Sequence, residues 1–276
     1  MGRKEMIIDM DECTGCNLCI IACRDEHVGN AHLPWTKEQA QTGHFWIDVE
    51  TMERGTIPKV KLTYLPLICQ HCENAPCMKS CPENAIERRE DGLVWINQEK
   101  CTGCGLCVDG CPYGVIYFNS ELNVAQKCTW CAHIIDDGDV PRCAEACPHD
   151  AIVFGDEEDI RIKSLKEKSA ILHPEYGTLP RVFYKGFPKP FIAGSVVSSH
   201  DDELLSGVTI TVLDLFNDRE SVTHSDEFGD FWIMDLEKDH RYLITFEMEG
   251  YEKLIRVVNS DIDRNIGEIK LDFLKK

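Results

Sequence analysis

Sixteen cysteines crowd the stretch from Cys13 to Cys147, and none follows it. Spacing sorts them into four blocks: Cys13, Cys16, Cys19 and Cys23; Cys69, Cys72, Cys77 and Cys81; Cys101, Cys104, Cys107 and Cys111; and Cys128, Cys131, Cys143 and Cys147. The first and third read C-x2-C-x2-C-x3-C, while the second widens its middle gap to x4 and the fourth to x11. Three blocks end in Cys-Pro, at Pro82, Pro112 and Pro148, and the first ends in Cys23-Arg24. A disulfide framework this dense belongs to short secreted chains, and the N-terminal MGRKEMIIDMDEC has no apolar stretch of signal-peptide length. Zinc sites use C-x2-C pairs but give no reason for a third and fourth cysteine at repeated fixed offsets.

The spacing is that of [4Fe-4S] ligation of the bacterial-ferredoxin type. Two-residue gaps let a tight loop wrap three thiolates around one face of a cluster, and Gly15, Gly103 and Gly105 permit the curvature. The fourth cysteine projects away, proline turns the chain, and the thiolate reaches the other cluster of a pair. All sixteen cysteines are therefore expected cluster ligands, holding four [4Fe-4S] clusters in pairs, with no catalytic residue on this chain. Spacing leaves the pairing open, because blocks two and three are 19 residues apart and blocks three and four 16. Trp130, Tyr113, His71 and His133 lie in or beside the ligand loops, and packing is their default role. Every block already has four thiols, so neither histidine is needed as a ligand. Lys127 and Arg142 flank cysteines of the fourth block and are candidates for raising its potential.

These features predict an α+β chain: a duplicated ferredoxin-like four-cluster domain over residues 1–155, then a small all-β sandwich of immunoglobulin-like topology over 191–276. An insertion, residues 24–68, carries Trp35, the run Gly43 to Ile47 and the basic segment Glu53 to Lys61, and is either a cover over the clusters or a docking surface. After each Cys-Pro an apolar run closes over the cluster, and Ile86 to Ile96 reads as a hairpin turning at Glu90-Asp91-Gly92. Residues 156–190 read as a surface helix over 156–170, acidic first and lysine-rich last, then a proline-rich extended linker. Seven alternating runs complete the chain: 191–197, 208–213, 220–224, 231–234, 242–247, 253–258 and 266–271.

A formal net charge of -19 repels phosphate backbones, and sixteen thiolates around four clusters add roughly eight negative charges. No nucleic-acid partner is expected. No apolar run approaches the roughly 18 residues of a membrane span, so the expectation is a cytoplasmic protein with no direct membrane span.

The fragments ICQHCENAPCMKSCPENAI, CTGCGLCVDGCPYGVIYF and QKCTWCAHIIDDGDVPRCAEACPHDAI resemble the iron-sulfur subunits of molybdopterin oxidoreductases of the dimethyl-sulfoxide-reductase family. That resemblance implies nested ligand sets: Cys13, Cys16, Cys19 with Cys147; Cys69, Cys72, Cys77 with Cys111; Cys101, Cys104, Cys107 with Cys81; and Cys128, Cys131, Cys143 with Cys23. It also implies an electron-transfer role, and a large catalytic partner subunit carrying molybdopterin guanine dinucleotide with molybdenum or tungsten. The first set would lie nearest that partner. Some such complexes travel to the periplasm on a signal borne by the partner. ERGTIP, CENAPC, QKCTWCAHIIDD and PEYGTLPRVFYK resemble the pyrogallol-phloroglucinol transhydroxylase branch, which implies transhydroxylation or reductive dehydroxylation of hydroxylated aromatics. The alternatives are a subunit of a sulfur or thiosulfate type reductase, a structural subunit whose clusters do not turn over, and a free-standing polyferredoxin.

Overall fold

Short gaps between ligands leave room for only short regular elements, and the computed structural model, which describes residues 2–274, has them. Met1, Lys275 and Lys276, at the outer ends of the expected segments 1–155 and 191–276, lie outside the described residues. The chain forms two compact units, residues 1–51 with 64–187 and residues 52–63 with 188–276.

The elements of the first part of the chain are β1 (Lys4–Asp9), α1 (Leu18–His27), β2 (Ile47–Thr56), β3 (Lys59–Ile68), α2 (Pro76–Lys79), β4 (Ile86–Arg88), β5 (Val94–Ile96), α3 (Leu106–Asp109), β6 (Tyr117–Asn119), β7 (Val124–Gln126), α4 (Ala132–Ile135), α5 (Arg142–Glu145), β8 (Ile152–Asp156), α6 (Ile160–Lys166), β9 (Ser169–Ala170) and β10 (Val182–Lys185). β4 with β5 and β6 with β7 form two antiparallel hairpins, the first at the expected place. A four-stranded sheet runs β8-β1-β10-β9, with β1 parallel to β10 and antiparallel to β8. Ile7, Val153 and Ile162 pack on one side of it.

Two expectations need correction here. The helix expected over 156–170 is confined to α6, where the Asp159 carboxylate accepts from the Arg161 N–H at 2.7 Å and caps the first turn, and Ser169–Ala170 already belongs to a strand. The expected linker is not free chain, because it holds a 3-10 turn (Pro174–Tyr176) and then β10. Val182 and Tyr184 alternate inward and are fully buried, and the Tyr184 hydroxyl donates to the Pro66 carbonyl and accepts from Gln70 Nε2. That period of two is what a strand requires, and the prolines and glycines around it masked the signal.

The second unit is built on β11 (Ile192–Ser198), β12 (Thr209–Asp214), β13 (Glu220–His224), β14 (Asp230–Ile233), β15 (Arg241–Glu247), β16 (Leu254–Asn259) and β17 (Arg264–Leu271). These are the seven expected strands. They form one sheet ordered β14-β11-β17 and another ordered β13-β12-β15-β16, around a core that includes Val196, Ile210, Phe231, Ile244 and Phe246. The topology differs from the immunoglobulin arrangement, which would put the first, second, fifth and fourth strands in one sheet. Here the first strand lies parallel to the last and antiparallel to the fourth. Alternation fixes which residues of a strand face inward but not which strand it pairs with.

The insertion 24–68 is divided between the units. Trp46 and Ile47 are buried in the first, as packing residues should be. The tip of the β2–β3 hairpin, residues 52–63, belongs to the second. There Arg54 forks onto Asp263, with Nε donating to Oδ2 at 3.0 Å and Nη2 to Oδ1 at 2.7 Å. Lys59 pairs with Asp230, and Lys61 sits 4.7 Å over the Trp232 ring. The bases Arg54, Lys59 and Lys61 are thus spent inside a unit, which removes them as a free basic docking surface. Gly55 makes the turn possible: its φ is +88°, and a Cβ there would come within 2.4 Å of the Lys59 carbonyl oxygen.

Candidate iron-sulfur site

Each block folds in the same way locally. Its third cysteine rides on a short helix, Cys19 on α1, Cys77 on α2, Cys107 on α3 and Cys143 on α5. Ahead of it the backbone passes through left-handed residues. In the first and third blocks these fall at matching places, Gly15 with Gly103 and Asn17 with Gly105. A Cβ on Gly15 would meet the Tyr64 ring at 2.4 Å, so the loop needs glycine for space as well as for φ. In the second and fourth blocks the fourth cysteine then accepts at sulfur from a backbone N–H four residues on, from Ala85 to Cys81 and from Ala151 to Cys147, each at 3.3 Å.

All sixteen cysteines are free thiols, and cysteines of different blocks come near one another. Cys13, Cys16, Cys19 and Cys147 line one enclosed cavity with Val49, Pro66 and Ile152. Burial pushes the Cys19 thiol up to about 12, and Cys13, Cys147 and Cys16 add to the shift. Burial likewise raises Cys77 to about 12, with Cys69, Cys111 and Cys72 contributing. Burial raises Cys107 to about 11, with Cys101, Cys81 and Cys104 contributing. Cys143 is raised by burial and then by Cys131, Cys128 and Cys23. A thiolate crowded by three others in a dry site is costly without a cationic group to hold it, so the donor sets suit iron and not free thiol chemistry.

The polar surroundings point the same way. His71 is fully buried, its Nδ1 accepts from the Val94 N–H at 3.1 Å, and its Nε2 has no partner among the described residues. Trp130, packed on His71 with ring centroids 4.0 Å apart, has an orphaned Nε1 as well. Buried donors left unpaired are rare in folded proteins, and cluster sulfur is an acceptor for them.

Lys127 is also fully buried, with Nζ donating to the carbonyls of Val94 and Cys128 and, at 3.3 Å, to Cys69 Sγ. Burial opposes its charge, but Cys69, Cys77 and Cys128 outweigh this and raise its pKa. Arg142 instead points to carboxylates: its Nε donates to Glu26 Oε2 at 2.8 Å and its Nη1 to Glu145. Burial alone would raise the Glu26 pKa, yet Arg142 and His133 bring it down to about 2. His27 lies beneath this network with Nε2 3.6 Å from Cys131 Sγ. None of these contacts shows in the residue order, since Glu26 and Arg142 are brought together only by the packing of α1 on α5.

Exposure differs among the sets. Cys16 and Cys104 are exposed, whereas Cys23, Cys128, Cys131 and Cys143 are all buried, as are Cys69, Cys72 and Cys77. Cys19 adds to the shift of Cys143, and Cys69 to that of Cys128, so the buried group of Cys128 is near a cysteine of the first block and one of the second.

Comparison with known proteins agrees with this chemistry. Residues 10–28 match a 4Fe-4S binding domain, 60–157 a 4Fe-4S dicluster domain, and 192–269 a carboxypeptidase regulatory-like domain. The pyrogallol hydroxytransferase small subunit of Pelobacter acidigallici is 37% identical, covering 98% of this chain and 100% of that one. The arsenate respiratory reductase iron-sulfur subunit of a Shewanella species is 34% identical over 66% of this chain and 95% of that one. A tetrathionate reductase subunit of Salmonella typhimurium is 35% identical over 69% and 75%. Among solved structures, shaft pilin SpaA of Lactobacillus rhamnosus GG covers 36% of this chain and 50% of that one, at 10% identity and a TM-score of 0.28, too slight a likeness to argue from.

Proposed function

Because the chain belongs to the iron-sulfur subunits of molybdopterin oxidoreductases, we propose that it carries four [4Fe-4S] clusters and exchanges electrons with a large catalytic subunit that acts on hydroxylated aromatics. The meeting of Cys147 with Cys13, Cys16 and Cys19 in one cavity, thiols from two distant blocks, is the observation that supports this reading. The sets would be those implied by the family: Cys13, Cys16, Cys19 and Cys147; Cys69, Cys72, Cys77 and Cys111; Cys101, Cys104, Cys107 and Cys81; Cys128, Cys131, Cys143 and Cys23. A [4Fe-4S] cluster so held supplies reversible one-electron chemistry. Around it the protein excludes water and supplies N–H donors to sulfur, both of which set the potential.

Exposure supports a direction. The sets containing Cys16 and Cys104 reach the surface, where a partner or donor could approach, whereas Cys69, Cys72, Cys77 and all four cysteines of the Cys128 set are buried. Leu18, Ile21 and Leu106 are exposed apolar residues beside those two surface cysteines, the kind of rim on which another protein packs. The whole-length match to the pyrogallol hydroxytransferase small subunit supports this substrate class, and the large subunit would then bind molybdopterin guanine dinucleotide with molybdenum or tungsten. Among the described residues no helix is long and apolar enough to cross a membrane.

Native mass measurement with metal analysis of the anaerobically purified complex tests the proposal. About sixteen irons per chain with matching sulfide, and molybdenum or tungsten on a co-purifying large subunit, are expected. Zinc in place of iron, or a monomer with no large subunit, would overturn it. Cys16→Ser should alter one cluster and slow electron exchange with external donors.

A further inference from the structure

Lys127 comes directly after Gln126, the last residue of β7, and precedes Cys128, which invites an assignment to the fourth block. Neighbours on an extended chain point to opposite faces, however, and its ammonium is delivered to Cys69 of the second block. An ammonium has three donors, and here all three are used: two on the neutral carbonyls of Val94 and Cys128, one on Cys69 Sγ. None of these partners is a carboxylate. A fully buried cation is tolerated only where a negative charge meets it. The sole contact able to carry that charge is the Cys69 sulfur, as a metal-bound thiolate.

We propose that Lys127 is a positioning residue that raises the potential of the cluster held by the second set, Cys69, Cys72, Cys77 and Cys111, and links that set to Cys128 of the fourth. Adding one electron to a cluster increases the negative charge facing the ammonium, so a fixed cation at sulfur favours the reduced form. Its reach is local, because among the described cysteine sulfurs the ammonium donates only to that of Cys69. Lys127 thereby makes the buried middle of the subunit easier to reduce than bare burial would allow, which counters the tendency of a low-dielectric interior to reject added charge.

The inference rests on the proposed cluster sets, and iron analysis tests those sets independently of the role of Lys127. In the full-length chain purified anaerobically with its clusters, Lys127→Met removes the charge at nearly constant length and Lys127→Arg restores it. Potentiometric titration followed by electron paramagnetic resonance should show at least a tenfold drop in the reduction equilibrium constant of one cluster in Lys127→Met, about 59 mV for one electron. At least two other clusters should stay within threefold, and Lys127→Arg should recover most of the loss. With full iron content, unchanged potentials or an equal shift of all four would overturn the proposal. A measurement on the unaltered protein guards against misfolded variants. With 15N-lysine incorporated, the reduced protein should show a hyperfine-coupled lysine nitrogen, and its absence would overturn the proposal even if no variant assembles.

Discussion

The two units solve burial differently. Each of the buried side-chain polar atoms that lacks a partner among the described residues, from Glu5 and His27 to His71, Thr129, Trp130 and His133, lies in the first unit. The second unit has none among its described residues. Its few buried polar groups close on one another, as where the Ser225 hydroxyl donates to the Leu205 carbonyl and accepts from the Val208 N–H. The first unit also buries nine cysteines and an ammonium, while the second is centred on a continuous apolar core. A closed interior needs nothing further to fold. An interior with unmatched donors and crowded thiols requires another component, and the sixteen cysteines say what it is.

The sharpest way to break this contrast is to remove the iron. Chelation under reducing conditions should raise amide hydrogen exchange in residues 64–187 by roughly a hundredfold or more, while residues 188–274 keep their protection. Loss of protection in both units, or in neither, would end the comparison. A smaller effect is expected from Phe246→Ala, which opens a hole beside Phe231 in the core of the second unit. It should cost about 3–5 kcal/mol in the second unit's unfolding free energy, with iron content unchanged. Arg54→Ala should cost less, about 1–3 kcal/mol, by leaving Asp263 with the Phe191 N–H but without its guanidinium. Thermal unfolding of the second unit reads that loss, and unaltered stability would mean the hairpin tip adds nothing to it.

Much of this was legible in the residue order because much of it is local. A two-residue gap between thiols constrains the loop regardless of the rest of the fold, and the glycines Gly15 and Gly103 sit where that loop turns left-handed. The seven strands of the second unit announce themselves by alternation and by turn residues such as Glu249-Gly250. The strand at Val182–Lys185 was hidden by its neighbouring prolines, and the short α6 by a run of charges longer than the helix it contains. Arg142 and Lys127 read alike as basic residues beside cysteines, yet one binds two carboxylates at the surface and the other a buried sulfur.

Sequence alone determined that sixteen thiols stand in four blocks of cluster-binding spacing, and that a β-rich, cysteine-free segment comes after them. Only the tertiary structure decided that Cys147 meets Cys13, Cys16 and Cys19, which cysteines are buried, that residues 52–63 belong with the second unit, and that the Lys127 ammonium reaches the Cys69 sulfur. The physical reason is range. Spacing and periodicity govern what a few bonds allow, whereas the partner of a strand, a hairpin tip or a buried charge is chosen by packing between segments far apart in the chain.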